Sequence, residues 1–570
     1  MSLRAHLLCG ALAIAALSPP VLAAAQPARG GGAPAAAGQQ APPPAAAELA
    51  PVAADTRLAD AAARQDAKTV TTLLKDRSKV DVNAFGRDGS TALEEAVRYD
   101  DLAMAKALVD AGAEVKRPNR FGLSPLILAA QGGAVQMMAL LLDHGANANA
   151  VDTAGEPVLM AASRDGSAKA VALLLDHGAQ VDAKDAAFGQ TALMIAVREN
   201  HPELVELLIK RGADVNARDR VGPAPKPRMP GEGGGSHGEG IVRSGIPPQG
   251  ARPAQPGGMT PLLYAARDGR TDCATLLLAA GAKIELADAN AMTPLLMALL
   301  NAQMPTAQLL LDHGAAVNVH DYWGRTPLYA AIEVRDREVN APNKKDNGVD
   351  RPAALQLAKA LLDKGADPNA RVKEYAPDRR FIMNLGSLAW VNFTGQTAFI
   401  HAALADDVDG MKLLLQYKAD PNITTFGGTT ALAAASGVNW VFNQTWTEPG
   451  RQLEAVKFLV DLGQDVNGVN DMGLAPLHGA ANRGSNDVIE YLVSKGARLE
   501  AKDKVGRTPL VWAGGVFLAT NAPEPRPATE ALIKDLLARG PAGQGDRAKV
   551  ADAPGGGKPD GRKDAARSRF

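Results

Sequence analysis

The chain of 570 residues carries 61 basic and 62 acidic side chains, a formal net charge of −1. That balance gives no support for nucleic acid or an anionic membrane as the main partner. Hydrophobic residues reach 46% but aromatic ones only 4%, so small aliphatic side chains must build the core.

Residues 1–25 read as a signal peptide. Arg4 supplies the positive charge, Leu7 to Leu17 is a short apolar run, and Ala23 and Ala25 suit cleavage. The run is too short to span a bilayer comfortably, and no later stretch reaches about 20 apolar residues, so no transmembrane segment is expected. Cys9 would leave with this segment. Cys273 then stands alone, cannot form an internal disulfide, and reads as a small core residue beside Leu276 and Leu277. Residues 26–55, rich in Ala, Pro, Gly and Gln, read as a disordered linker.

A periodic pattern runs over 56–540, and a Gly-rich tail of mixed charge, 541–570, reads as disordered. The phrase "LLLDHGANANA" at Leu140 returns as "LLLDHGAQVDA" at Leu173, 33 residues on, and as "LLLDHGAAVNV" at Leu309. A fixed period of that size marks stacked supersecondary units. Each unit opens with a turn closed by glycine, such as Gly122, Gly155, Gly324 or Gly473, with Ala291 in the equivalent slot. Thr-Pro-Leu or a relative follows ("SPLILAA" from Ser124, "TPLLYAA" from Thr260, "TPLYAA" from Thr326). Thr suits a helix N-cap and Pro the first helical position. A second helix carries the Leu triplet and stops at glycine (Gly145, Gly178, Gly314, Gly496), which takes a left-handed conformation at little steric cost. Asn149, Asn216, Asn318 and Asn369 then recur where an Asx-type turn can satisfy backbone groups.

These residues resemble the ankyrin repeat family, over about 485 residues and about twelve units. The fold class expected is all-α: an ankyrin-repeat solenoid of helix-turn-helix units with outward β-hairpin loops. The resemblance implies a curved array about 100 Å long, at ~8–10 Å per helix layer. Some units depart from the pattern. Lys418 replaces the stop glycine in "LLQYKADPN", so its turn is expected to differ; Pro157 stands where Thr belongs. The first unit, 56–88, and the last, 506–540, read as caps.

Four insertions break the period: 221–257, 334–352, 371–394 and 437–452. The third carries Tyr375, Phe381, Trp390 and Phe393. The fourth carries Trp440, Phe442 and Trp446. All five tryptophans fall between Trp323 and Trp512.

Chemistry is sparse, and no catalytic residues, cofactor or metal site are expected. Gly234-Gly235-Ser236-His237-Gly238 matches a nucleophile elbow, but its flanks are Gly/Pro linker rather than strand and helix. His144, His177 and His313 share one repeat position; neighbouring layers lie ~8–10 Å apart, too far for a shared zinc. They read instead as partners of the last helical carbonyls. His478 fills the family's Thr-Pro-Leu-His slot, which implies hydrogen bonds between units. Asp406, Asp407 and Asp409 read as a solvated helix turn. Sequons at Asn392, Asn422 and Asn443 read as chance matches, because the leader and composition point to a bacterial exported protein.

The resemblance implies that a partner would engage hairpin tips and the exposed side of the first helices. The tips here carry Phe121, Leu123, Phe188, Met259, Met292, Tyr322, Trp323, Phe393 and Phe426, where many arrays place polar residues. Aromatic anchors and contiguous apolar patches mark interaction sites, although adjacent hairpins can also pack such rings into a structural ridge. The expectation is a monomeric, non-enzymatic scaffold, periplasmic or extracellular, that binds a protein partner through its tips and inner helices, with no nucleic acid. Trp390, Phe393, Trp440 and Trp446 would sharpen that contact. The alternative is a small-molecule or glycan site, or an unrecognised enzyme, at the aromatic insertions 371–394 and 437–452.

Overall fold

The structure, a computed structural model, describes residues 55–76, 80–223, 255–336, 350–374, 391, 394–440, 450–516 and 524–539. All belong to one of the chain's two compact units, Val52–Phe570. The leader, linker and tail proposed from the sequence lie outside the described residues.

Helices form where the repeat grammar places them. The hydroxyls of Thr91, Ser124, Thr191, Thr260, Thr293, Thr326, Thr397 and Thr430 each accept the N–H three residues on, capping the first helix of their unit. Each such cap is worth about 1 kcal/mol. Pro157 begins Val158–Asp165 with no side-chain cap. The described residues form 24 helices, which pair into twelve antiparallel units. Unit 1 is Arg57–Ala63 with Ala67–Lys75; unit 12 is Pro509–Ala513 with Pro527–Ala538.

Each first helix packs on the first helix of the next unit throughout the array. Second helices pack likewise through units 1 to 8 and again through units 9 to 12. One apolar core therefore runs the length of the stack, built from Ala, Leu, Val, Ile and Met, with Cys273 inside it. Burial pushes the Cys273 thiol up to about 11, leaving it neutral and unreactive.

The asparagines do more than the expected Asx turn. The local turn falls to the preceding residue: Asn147 Oδ1 accepts Asn149 N at 3.0 Å. Asn149 instead reaches the next unit, donating to Gly178 O at 2.9 Å and accepting Gln180 N at 2.8 Å. Asn318 repeats both bonds with Gly365 O and Asp367 N, and Asn467 with Gly496 O and Arg498 N. Two complementary bonds per side chain satisfy the stop residue's carbonyl and lock the stacking register.

All four insertions have their ends tied. Gly222 N donates to Pro256 O at 2.8 Å. Val372 N donates to Gln396 O and Gly395 N to Val372 O, at 3.0 and 2.7 Å. Arg335 Nη1 donates to Arg351 O at 2.8 Å, and Gln452 Nε2 to Ala435 O at 3.0 Å. The described residues flanking each insertion are thus held together, and the first helices stack continuously past it.

Candidate functional site: the ridge of tips

Most tips start from an Asp or Asn that bends the chain by accepting backbone N–H groups, and Thr425 Oγ1 does the same for Thr429 N. Asn119 Oδ1 takes Phe121 N and Leu123 N at 2.9 and 3.0 Å. Asp185 takes Phe188 N and Gln190 N, Asp288 takes Asn290 N and Met292 N, and Asp321 takes Trp323 N and Arg325 N. The residue after this first turn position donates its N–H to the preceding tip. Arg120 N reaches Gly89 O, Arg220 N reaches Phe188 O, Tyr322 N reaches Asn290 O, Phe426 N reaches Thr394 O and Lys504 N reaches Met472 O, at 2.7–3.4 Å. The tips thus form a ridge joined by single backbone bonds. The β-character expected of them reduces to two isolated bridges among the described residues, Phe85–Thr91 and Val151–Pro157.

Four candidate side chains stand outward on this ridge: Phe121 is 56% exposed, Phe188 66%, Phe426 53% and Tyr322 38%. Cations flank two of them, with Arg120 lying 4.7 Å over the Phe121 ring and Arg371 4.3 Å over Phe426. Leu123 is half-buried.

Three candidates are interior. Trp323 is 1% exposed, because the chain at 373–374 crosses it: Lys373 N and Glu374 N both donate to Trp323 O, at 2.8 and 3.1 Å. Met259 and Met292 sit in the core. Their position after the turn glycine points down into the stack, so they serve packing and offer nothing to a partner. Trp440 is half-buried, with the guanidiniums of Arg483 and Arg526 at 5.9 and 5.5 Å over its ring, a use of the ring that competes with ligand stacking. Trp390, Phe393 and Trp446, with the Ser236 motif, lie outside the described residues.

The inner helices offer less than expected. Every residue of Pro294–Leu300 is buried, and in Ala192–Arg198 only Arg198 is not. Each first helix is enclosed by its neighbours and its own second helix, and Met194, Leu263 and Leu296 stand where His478 stands in its unit. A partner has few side chains to grip there.

The acidic turn 406–409 also departs from expectation. Asp406 and Asp407 are fully buried; only Asp409 is exposed. Arg335 grips Asp407 with two bonds of 2.7 and 2.9 Å. Arg483 reaches Asp406 at 3.2 Å from two units further on. Burial pushes Asp407 up, but the Arg335 bonds outweigh it and leave the carboxyl below its usual range. Burial, aided by the Asp407 charge, drives the carboxyl of neighbouring Asp336 well above its usual range. Two carboxyls shifted in opposite directions resemble a catalytic pair, yet both are sealed from solvent. The cluster clamps units 8, 9 and 11 together.

The histidines are structural. His144 and His313 each place Nδ1 2.9 Å from a carbonyl four residues back, Leu140 O and Leu309 O. Buried His478 accepts Ala475 N at Nδ1, which leaves Nε2 as the donor to Ala501 O and Arg507 O of the last unit. Among the described residues no three His, Cys, Asp or Glu side chains gather as metal ligands would, and no helix is long and apolar enough to cross a membrane.

Comparison with known proteins agrees with this architecture. A family model described as ankyrin repeats in three copies matches residues 100–185, 126–219, 262–372 and 448–515, more than half of the chain. A single ankyrin repeat matches 394–426. The Notch-regulated ankyrin repeat-containing protein of Xenopus tropicalis is 37% identical over 76 residues, 13% of this chain and 67% of that protein. Its Homo sapiens counterpart is 46% identical over 52 residues, 9% of this chain and 46% of that protein. Myotrophin of Xenopus tropicalis is 47% identical over 52 residues, 9% of this chain and 44% of that protein. With the turn, the Thr cap, the paired helices and the stop residue recurring through twelve stacked units, this chain belongs to the ankyrin repeat family.

Proposed function

We propose that this protein is a non-catalytic scaffold that binds a protein partner along the ridge of tips between Phe121 and Phe426. Ankyrin repeats mediate protein–protein interaction, which sets the class of function. One observation carries the site: Phe121, Phe188, Tyr322 and Phe426 stand exposed on a ridge otherwise fixed by backbone hydrogen bonds. Large apolar rings held outward on a rigid support cost solvation in the free protein and become anchors when covered. The buried inner helices leave the tips as the side-chain surface best suited to specificity. The leader-like segment 1–25 supports placing the scaffold outside the cytoplasm, in the periplasm or beyond.

The test is affinity capture from the native extract with the chain and with its Phe121→Ala, Phe188→Ala, Phe426→Ala variant. These rings are exposed, so circular dichroism and thermal midpoint should match the parent. The expected result is a partner held by the parent and lost by the variant. Equal capture by both would remove the tips from the contact.

A further inference from the structure

The ridge has a charge as well as rings. The residue after the first turn position, which is Asp or Asn in most units and Gly86, Val372 or Thr425 in the others, forms one column along the array, set by the ladder of tip-to-tip bonds. Read in order it is Arg87, Arg120, Thr153, Ala186, Arg220, Ala289, Tyr322, Lys373, Phe426, Asp471 and Lys504. Five members are cationic and one is acidic. The chain as a whole is balanced, so this column concentrates positive charge.

Two facts make that charge available. First, the turn acids lie inward of the column: Asp185, Asp321 and Asp503 are buried and Asp152, Asp219 and Asp288 half-buried, their oxygens accepting backbone N–H groups of the turn. Second, Arg120, Arg220, Lys373 and Lys504 are exposed and meet no carboxylate at ion-pair distance among the described residues. Arg87 differs, lying 3.7 Å from Asp60. The remaining ridge acids are Asp88, bonded to Ser90 N, with Glu374 and Asp471.

Building on the reading of the tips as the binding face, we infer that the partner is a protein presenting an acidic strip interleaved with apolar side chains. Rings and exposed cations alternate along the ridge, the cations meeting only neutral partners (Arg120 the Phe121 ring, Arg220 the Ala187 carbonyl, Lys373 the His320 ring), and complementary charge selects and steers partners. The spacing decides against single-stranded nucleic acid. Phe121 and Phe188 stand on units 3 and 5, about 20 Å apart at ~10 Å per layer, whereas base stacking needs a ring for successive bases. From Phe121 to Phe426 the ridge spans about seven layers, or ~70 Å, the length of about 21 extended residues.

The probe is a fluorescent peptide of about 24 residues with the repeat Glu-Glu-Leu, long enough for that span. Binding to the full chain is read by anisotropy. Lys-Lys-Leu peptide, vesicles containing phosphatidylserine and oligothymidylate of the same length are run in parallel. The acidic peptide should bind, with affinity falling about tenfold or more between ~0.05 and ~0.3 M salt. Arg120→Gln, Arg220→Gln, Lys373→Gln should weaken it about tenfold with the fold intact, at ~1.4 kcal/mol for that ratio. Equal binding of the basic peptide, no response to this charge variant, or preference for vesicles or oligonucleotide would overturn the inference. The Phe121, Phe188, Phe426 alanine variant separates the two readings. Binding lost with the rings but indifferent to charge and salt keeps the tips and sinks the acidic partner. Binding lost with the charges alone sinks the aromatic anchors.

Discussion

Glu94 shows what one buried carboxyl does to a unit. It closes the capping box of Ala92–Arg98, accepting Thr91 N at 2.7 Å, while its other oxygen is buried without a hydrogen bond. Burial pushes its pKa up to about 7. A raised acid favours the fold while protonated, so its effect is full below about 4.5 and is lost as pH rises to about 7. The shift corresponds to about 3 kcal/mol at alkaline pH. Glu94→Gln, which keeps the acceptor, should stabilise the N-terminal units by about 1–3 kcal/mol at pH 8 and by little at pH 4. Urea denaturation at both pH values checks this; an equal gain at both would contradict it. Lys418 is a second case. It holds φ at 66° and makes the same turn bonds as Gly314, so the turn does not differ as its sequence implied. The left-handed strain is borne in place, and Lys418→Gly should raise stability by about 1 kcal/mol. A thermal midpoint lowered by that change would show the strain is relieved another way.

At the scale of elements, helices were legible because their signals are local: the Thr cap, the Ala pair and the stop residue lie within a few positions of the turns they make. Other features depend on neighbours far along the chain. Asp407 meets Arg335 across 72 residues, and Asp406 meets Arg483 across 77, so nothing near "ADDVD" marks them as buried. Trp323 is covered by residues 373–374, beyond the next insertion, and for that reason reads as exposed from its own turn. Phe121, Phe188 and Phe426 stand outward as their turn positions imply. The Arg335–Asp407 pair gives an element-scale prediction. Asp407→Ala leaves the buried Arg335 guanidinium with only the longer Asp409 contact at 3.9 Å and should cost about 3–5 kcal/mol, while Arg335→Met with Asp407→Leu should cost markedly less. A double variant as unstable as the single one would show that Arg351 and Asp336 need the pair in place.

At the scale of the molecule, stability is shared between neighbouring units, and the insertions stand apart from that continuity. Gly222 and Gln255, on either side of residues 224–254, are joined directly, Gln255 Nε2 donating to Gly222 O at 3.0 Å. Asp219 secures the junction, accepting Met259 N and Tyr264 O–H at 2.7 Å each. Replacing 224–254 by a short Gly-Ser link should therefore change the unfolding midpoint little, since loop closure varies only weakly with length. A large loss would mean that the excursion supports units 5 and 6. In the proposed function this continuous stack holds its tips in one line for a partner. Hydrogen–deuterium exchange of the full chain, free and saturated with its captured partner, tests that most directly. New protection is expected at 119–123, 186–190, 320–324 and 424–428, with the second helices unchanged. Protection confined to the second helices, with the tips exchanging as before, would contradict it.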